Sequence, residues 1–120
     1  MDIRSAMAQA LKIDGCIGVA LVDFESGMCL GQAGNPGFDL ELAAAGNTEV
    51  VRAKKKIRDK LNIRDKIEDI LITLNSQYHL IRMVGTNMFI YAVLERSKSN
   101  LALSRKELEI IEKQLDVDRR

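Results

Sequence analysis

The sequence predicts an α+β domain, a five-stranded antiparallel sheet with helices on both faces, in the order α-β-β-α-β-β-β-α. Three observations lead there. Residues 16–24 and 88–94 are almost continuously apolar, the pattern of central strands buried on both faces. Residues 28–33, 67–75 and 78–84 are shorter or alternating runs bounded by turn residues, the pattern of strands with one exposed face or edge. Three stretches of helical spacing separate or flank these runs, one of them long.

Each element has its own signal. Ile3, Met7, Ala10 and Leu11 recur at helical spacing, giving a first helix that ends near Asp14-Gly15. In the strand 16–24, Gly18 and Ala20 are small enough to let a helix approach closely. Glu25-Ser26-Gly27 turns the chain, with Gly27 supplying a positive φ. That turn sets Phe24 opposite Met28 and Asp23 opposite Cys29. Gly34-Asn35-Pro36-Gly37 holds the only proline and is the strongest breaker. The long helix opens at Phe38 or Asp39 and runs to about Leu61. At 100° per residue, Leu42, Ala43, Gly46, Val50, Ala53, Ile57 and Leu61 share one face, expected to pack on the sheet. Leu40, Ala44 and Val51 share a second face, interrupted by Asn47, Lys54 and Arg58 and expected to meet a partner. In the strand 67–75, Ile70, Ile72 and Leu74 alternate with Leu71 and Thr73. Ser76-Gln77 and Gly85-Thr86-Asn87 are the next turns. The last helix starts at Ser99 or Ser104, where Ser104 and Glu107 resemble a capping box, and ends near Leu115. Leu101, Leu108, Ile111 and Leu115 face inward. Central placement of the two all-apolar strands gives the order 2-1-5-4-3. The first and last helices should cover one face and the long helix the other.

The 120 residues fit a single domain, 1–120, and 47% hydrophobic residues suffice for a core. Aromatics make up only 4%, so that core is built from Ile, Leu, Val, Met and Ala. Residues 1–12 carry charges and no apolar run, so no secretory signal is expected. No stretch approaches the ~20 apolar residues of a membrane helix. Cys16 and Cys29 fall roughly 23 Å apart along the predicted hairpin, which predicts two reduced thiols and a cytoplasmic protein. Two cysteines and one histidine argue against a structural zinc site.

Charge is the strongest functional signal. Residues 52–66 hold eight Lys/Arg (Arg52, Lys54, Lys55, Lys56, Arg58, Lys60, Arg64, Lys66) against Asp59 and Asp65, so this segment carries +6 while the whole chain carries +1. A helix that concentrates positive charge is expected to present it to a partner. No aromatic lies in the patch to stack on bases, and the pI near 7.8 also argues against nucleic acid. The remaining motifs read as structure. The glycines of Gly31-Gln32-Ala33-Gly34-Asn35-Pro36-Gly37 lack the Gly-Lys-Ser/Thr ending of a phosphate loop. His79 has no nucleophile at a telling spacing. Asp65, Glu68 and Asp69 are expected to pair with Arg64, Lys66 or the basic helix rather than to hold a metal. No triad, dyad or metal set is visible, so no catalytic residue and no cofactor is expected.

The whole pattern, about residues 5–115, resembles the Roadblock/dynein light chain family, whose fold is close to longin and profilin. The residues that carry the resemblance are the strand Gly15-Cys16-Ile17-Gly18-Val19-Ala20-Leu21-Val22-Asp23, the Ser26-Gly27 turn and the small-residue helix Glu41-Leu42-Ala43-Ala44-Ala45-Gly46. Asp69-Ile70-Leu71-Ile72-Thr73 and Phe89-Ile90-Tyr91-Ala92-Val93-Leu94 complete it. The resemblance implies a dimer joined through the long helix and the third strand, with Ile70, Leu71, Ile72 and Thr73 at the junction. It further implies a non-enzymatic regulator or scaffold for a small Ras-like GTPase, of the bacterial or archaeal type. Ala44, Asn47, Val51, Lys54, Lys55 and Arg58 are the expected partner-binding residues. The rival reading is a ligand-sensing profilin-like module or a general interaction scaffold.

Overall fold

The computed structural model describes residues 1–116. Its elements are α1 (Ile3–Ala10), β1 (Cys16–Asp23), β2 (Cys29–Gly34), α2 (Leu40–Lys60), β3 (Asp69–Thr73), β4 (Gln77–Val84), β5 (Met88–Glu95), a 3-10 turn (Arg96–Lys98) and α3 (Leu101–Gln114). The five strands form one antiparallel sheet in the order β2-β1-β5-β4-β3, as the burial pattern of the sequence implies. β1 and β5 are central because nearly every side chain on them is buried.

Two cores flank the sheet. Under α1 and α3 lie Met7, Val19, Leu21, Leu80, Ile90, Leu94, Leu108 and Ile111. On the other face, Ala20, Val22, Ile81, Phe89, Tyr91 and Val93 pack against Leu40, Ala44 and Val51 of α2. Each helix starts on a side-chain cap. The Asp39 carboxylate accepts from the N–H groups of Glu41 (3.0 Å) and Leu42 (3.2 Å), and the Asp2 carboxylate from that of Ser5 (2.7 Å). Asn62, at φ 58°, closes the far end of α2 in the left-handed conformation, and Ile63 N–H donates to Arg58 O at 3.1 Å.

The structure corrects several expectations. The inward face of α2 is Leu40, Ala44, Thr48 and Val51, while the face expected to pack on the sheet is largely exposed: Leu42 71%, Leu61 62%, Ile57 45%, Val50 38%. Both faces are apolar at helical spacing, and spacing alone carries no sign for inside or outside. The small side chains of Ala44 and Thr48 bring the helix close to the sheet. The Thr48 hydroxyl donates to Ala44 O at 3.0 Å, so its burial leaves no orphan. Gly18 does admit a close neighbour, but that neighbour is Pro36: a Cβ there would lie 3.0 Å from the proline ring.

A bulge at Leu21/Val22 shifts the first hairpin, so Cys29 faces Val22 rather than Asp23. α1 ends at Ala10, before the expected end near Asp14-Gly15. α3 is capped by Asn100, not Ser104. The Asn100 carboxamide accepts from Leu103 N–H at 3.1 Å, and the buried Ser104 hydroxyl donates to Asn100 O at 2.9 Å. Asp69 pairs with Arg105 of α3 at 2.9 and 3.2 Å, not with the basic helix.

Candidate functional site

β3 is an edge strand, and half of its backbone groups are unpaired. Met83 N–H donates to Glu68 O at 3.0 Å and Leu74 N–H to Gln77 O at 2.8 Å. Antiparallel pairing alternates, so Glu68, Ile70, Ile72 and Leu74 turn their backbone groups toward β4. Those of Asp69, Leu71 and Thr73 point outward, where no other described residue meets them. The opposite edge, β2, is interrupted by the bulge and flanked by α1, with Gly31 against Ile3. The bare edge on this molecule is therefore β3.

Beside it runs the exposed row of α2. Leu42, Gly46, Val50, Ala53, Ile57 and Leu61 follow one another at spacings of 4, 4, 3, 4 and 4, a stripe roughly 28 Å long. Between this row and the edge lies an open, mainly apolar groove of about 620 Å³, lined by Val50, Ala53, Lys54, Ile57, Ile67, Asp69 and Ile70. Gly46 sits in mid-helix, and a Cβ there would meet nothing within 4 Å. Within this chain neither packing nor a positive φ requires a glycine, although glycine costs a helix about 1 kcal/mol relative to alanine.

The basic residues divide into two groups. Some are engaged within the chain. Arg52 donates to Glu25 O at 2.6 Å and Phe24 O at 3.4 Å, clasping the first hairpin. Lys55 lies 4.6 Å from the Phe24 ring centroid, and Arg58 bonds Asp59 at 2.9 Å and Asp65 O at 3.4 Å. By contrast Lys54, Lys56, Lys60, Arg64 and Lys66 make no ion pair, hydrogen bond or ring contact among the described residues.

The expected partner-binding residues thus do not share one surface. Ala44 and Val51 are fully buried beneath α2 and offer nothing to a partner. Asn47 is half-buried beside Tyr91. Lys54 borders the groove; Lys55 and Arg58 line a separate cleft with Lys66 and Arg82. At the sheet edge, Ile70 lies on the α2 face and Leu71 on the opposite one. The residues missed by sequence reasoning are the exposed row itself. Its signal was Gly46, a helix breaker that directly follows Ala43-Ala44-Ala45, with the unpaired lysines 54, 56 and 60 bordering the row.

Burial pushes the Cys16 thiol up to about 11 and raises Cys29, and both thiols are free. Burial lowers His79. Among the described residues no three His, Cys, Asp or Glu side chains converge as metal ligands, and no helix is long and apolar enough to cross a membrane.

No family model matches the sequence, and comparison with curated proteins finds no match. Solved structures do resemble it. A Roadblock/LC7 domain from Streptomyces avermitilis superposes with a TM-score of 0.82 at 13% identity, covering 95% of this chain and 94% of that one. MglB of Myxococcus xanthus gives 0.77 at 15% identity, over 92% and 85% of the two chains. The gliding protein MglB of Thermus thermophilus gives 0.70 at 12% identity, over 92% and 87%. At such identities the likeness is one of architecture, and it agrees in element order and sheet topology with what the sequence implies: the chain has the Roadblock/LC7 fold.

Proposed function

We propose that this chain is a non-enzymatic adaptor that pairs with a second copy through α2 and β3 and presents the basic flank of α2 to a small Ras-like GTPase. The observation that carries the reading is the exposed row of α2 lying directly beside the unpaired β3 edge. The row is self-complementary. Its spacing is symmetric about the point between Val51 and Arg52, so an antiparallel second copy sets Gly46 against Ile57, Val50 against Ala53, and Leu42 against Leu61. In the two inner pairs a larger side chain meets a smaller one, and leucine meets leucine at the ends, so the same patch serves both copies. The same axis, passing near Leu71, sets Asp69 opposite Thr73 and uses all three outward-facing residues of β3 in a continuous sheet. A partner helix also explains a mid-helix glycine that the single chain does not need. One structure sharing the fold, an MglB, is described in a tetrameric arrangement.

The GTPase part of the reading rests on the family resemblance and on charge. Lys54, Lys56 and Lys60 have no partner among the described residues and flank the self-pairing row, a basic rim around an apolar centre. Sedimentation equilibrium tests the pairing: the wild type should be dimeric at micromolar concentration, and a ~13 kDa species at every concentration removes it. Calorimetry against the host's Ras-like GTPases, loaded with GDP or a GTP analogue, tests the partner. Lys54→Glu with Lys60→Glu should weaken binding in low salt more than in high salt. Equal affinity in a variant that remains dimeric removes this flank from the site.

A further inference from the structure

Where α2 ends, the chain forms a projecting corner. Leu61 caps the helix, Asn62 reverses the backbone at φ 58°, and β3 begins only at Asp69. Every residue from 59 to 66 is exposed. Two of them are large aliphatics, Leu61 and Ile63, the latter 47% exposed. Leu61 is the last residue of the exposed row; Ile63 stands outside it. Around them lie Lys56, Lys60, Arg64 and Lys66, none with an ion pair, hydrogen bond or ring contact among the described residues. The acids of this corner are Asp59, which Arg58 holds at 2.9 Å, and Asp65.

The combination selects a kind of surface. Leu61 and Ile63 sit on a projection, so a rigid partner covers them only with a pocket of matching shape. A lipid bilayer yields instead. Aliphatic side chains enter the boundary between headgroups and acyl chains, and Lys and Arg lay their stems along it with their charges among the headgroups. Nucleic acid offers no such medium, since its bases stack on aromatic rings and the corner has none. Charge adds direction. Residues 52–66 carry +6 in a chain of +1, so the remaining residues carry −5. An anionic surface attracts the corner and repels the rest, which orients docking although the whole chain is nearly neutral.

We propose that the corner of residues 60–66 docks on an anionic lipid surface. Leu61 and Ile63 enter the interface, and Lys60, Arg64 and Lys66 lie among the headgroups. The contact is peripheral and reversible, because it inserts two side chains and no described helix is long and apolar enough to cross a membrane. It rests on neither the pairing nor the GTPase reading. Ile63, Arg64 and Lys66 lie outside both the pairing row and the lysines assigned to the GTPase, and the test uses those three alone.

The test is co-sedimentation with phosphatidylcholine vesicles made with and without phosphatidylserine. The wild type should sediment with the phosphatidylserine vesicles in low salt, less in high salt, and not with the neutral ones. Arg64→Gln with Lys66→Gln should weaken partitioning about thirtyfold. Lys12→Gln with Lys106→Gln removes the same charge from exposed positions after α1 and on α3, and should change it less than about threefold. Ile63→Ser leaves the charge unchanged and should weaken partitioning about tenfold. Circular dichroism checks that each variant is folded. A wild type that stays in solution with phosphatidylserine vesicles overturns the proposal. So does an equal loss in the two double variants, which would make net charge rather than the corner the cause. Unchanged partitioning of Ile63→Ser would reduce the corner to a patch for any polyanion and overturn the lipid assignment. None of these outcomes bears on sedimentation equilibrium or on calorimetry with a GTPase, so the readings fail separately.

Discussion

Gly46 and Ile57 stand three turns apart on the same exposed row of α2, and the space outside Gly46 is empty to 4 Å. In the two-fold pairing proposed above, the ridge of one fills the gap of the other. Gly46→Ala should therefore act in opposite directions. It should raise the stability of the isolated chain by about 0.5–1 kcal/mol through helix propensity, seen in urea melts at high dilution. It should also weaken self-association by pushing the helices apart. A change of the same sign in both would mean that Gly46 faces no partner.

The two faces of α2 should respond differently to the same charge. Val51 is fully buried, so Val51→Asp places an unpaired carboxylate among Val22, Phe89 and Tyr91 and should cost about 3 kcal/mol or more. Ile57 is 45% exposed, and Ile57→Asp should change monomer stability by less than about 0.5 kcal/mol while abolishing pairing. Circular dichroism melts with parallel light scattering check both. A folded Val51→Asp beside an unfolded Ile57→Asp would restore the face assignment made from periodicity alone.

Two ion pairs tie α3 to the sheet, and burial should rank them. Arg82 and Glu112 are each 16% exposed and 3.1 Å apart, whereas Arg105 is 40% exposed against Asp69. Arg105→Ala should cost about 0.5–1 kcal/mol. Arg82→Ala should cost more, about 1–3 kcal/mol, because the ion pair it removes is the better shielded of the two from solvent. Chemical denaturation of the two variants gives the order directly, and the reverse order would show that solvent reaches the inner pair.

Cys16 should be a slow thiol. Burial raises it to about 11, so little thiolate exists near neutrality and labelling should lag behind that of Cys29. The linkage has a definite sign. A folded-state value above the ordinary 9.0 contributes stability that is complete below pH 9.0 and is lost as pH rises from there toward 11. Alkaline melts of wild type and Cys16→Ala should diverge in that window. Labelling of both thiols at one rate in the folded protein would contradict the burial.

Much of this molecule is legible in its sequence. The unbroken apolar runs of β1 and β5 place them at the centre of the sheet, because only a strand covered on both faces can be apolar throughout. The remaining strands then have one consistent order, and β3 falls at an edge. Turn residues at Gly27 and Gly85 mark the hairpins because each needs a positive φ.

What the tertiary structure alone decided is the direction in which α2 faces. Leu40–Ala44–Val51 and Leu42–Val50–Ile57–Leu61 are both acceptable apolar stripes, and periodicity has no sign. The choice depends on how near the helix axis can come to a surface made by Ala20, Val22, Phe89 and Tyr91, residues remote in the chain. Ala44 and Thr48 fit that short distance; Leu42, Ile57 and Leu61 are left facing outward. The partnership of Asp69 with Arg105 and the hydrogen bond between Tyr91 and His79 were hidden for the same reason. Each joins residues whose proximity is created by the fold, and no local pattern in the sequence encodes it.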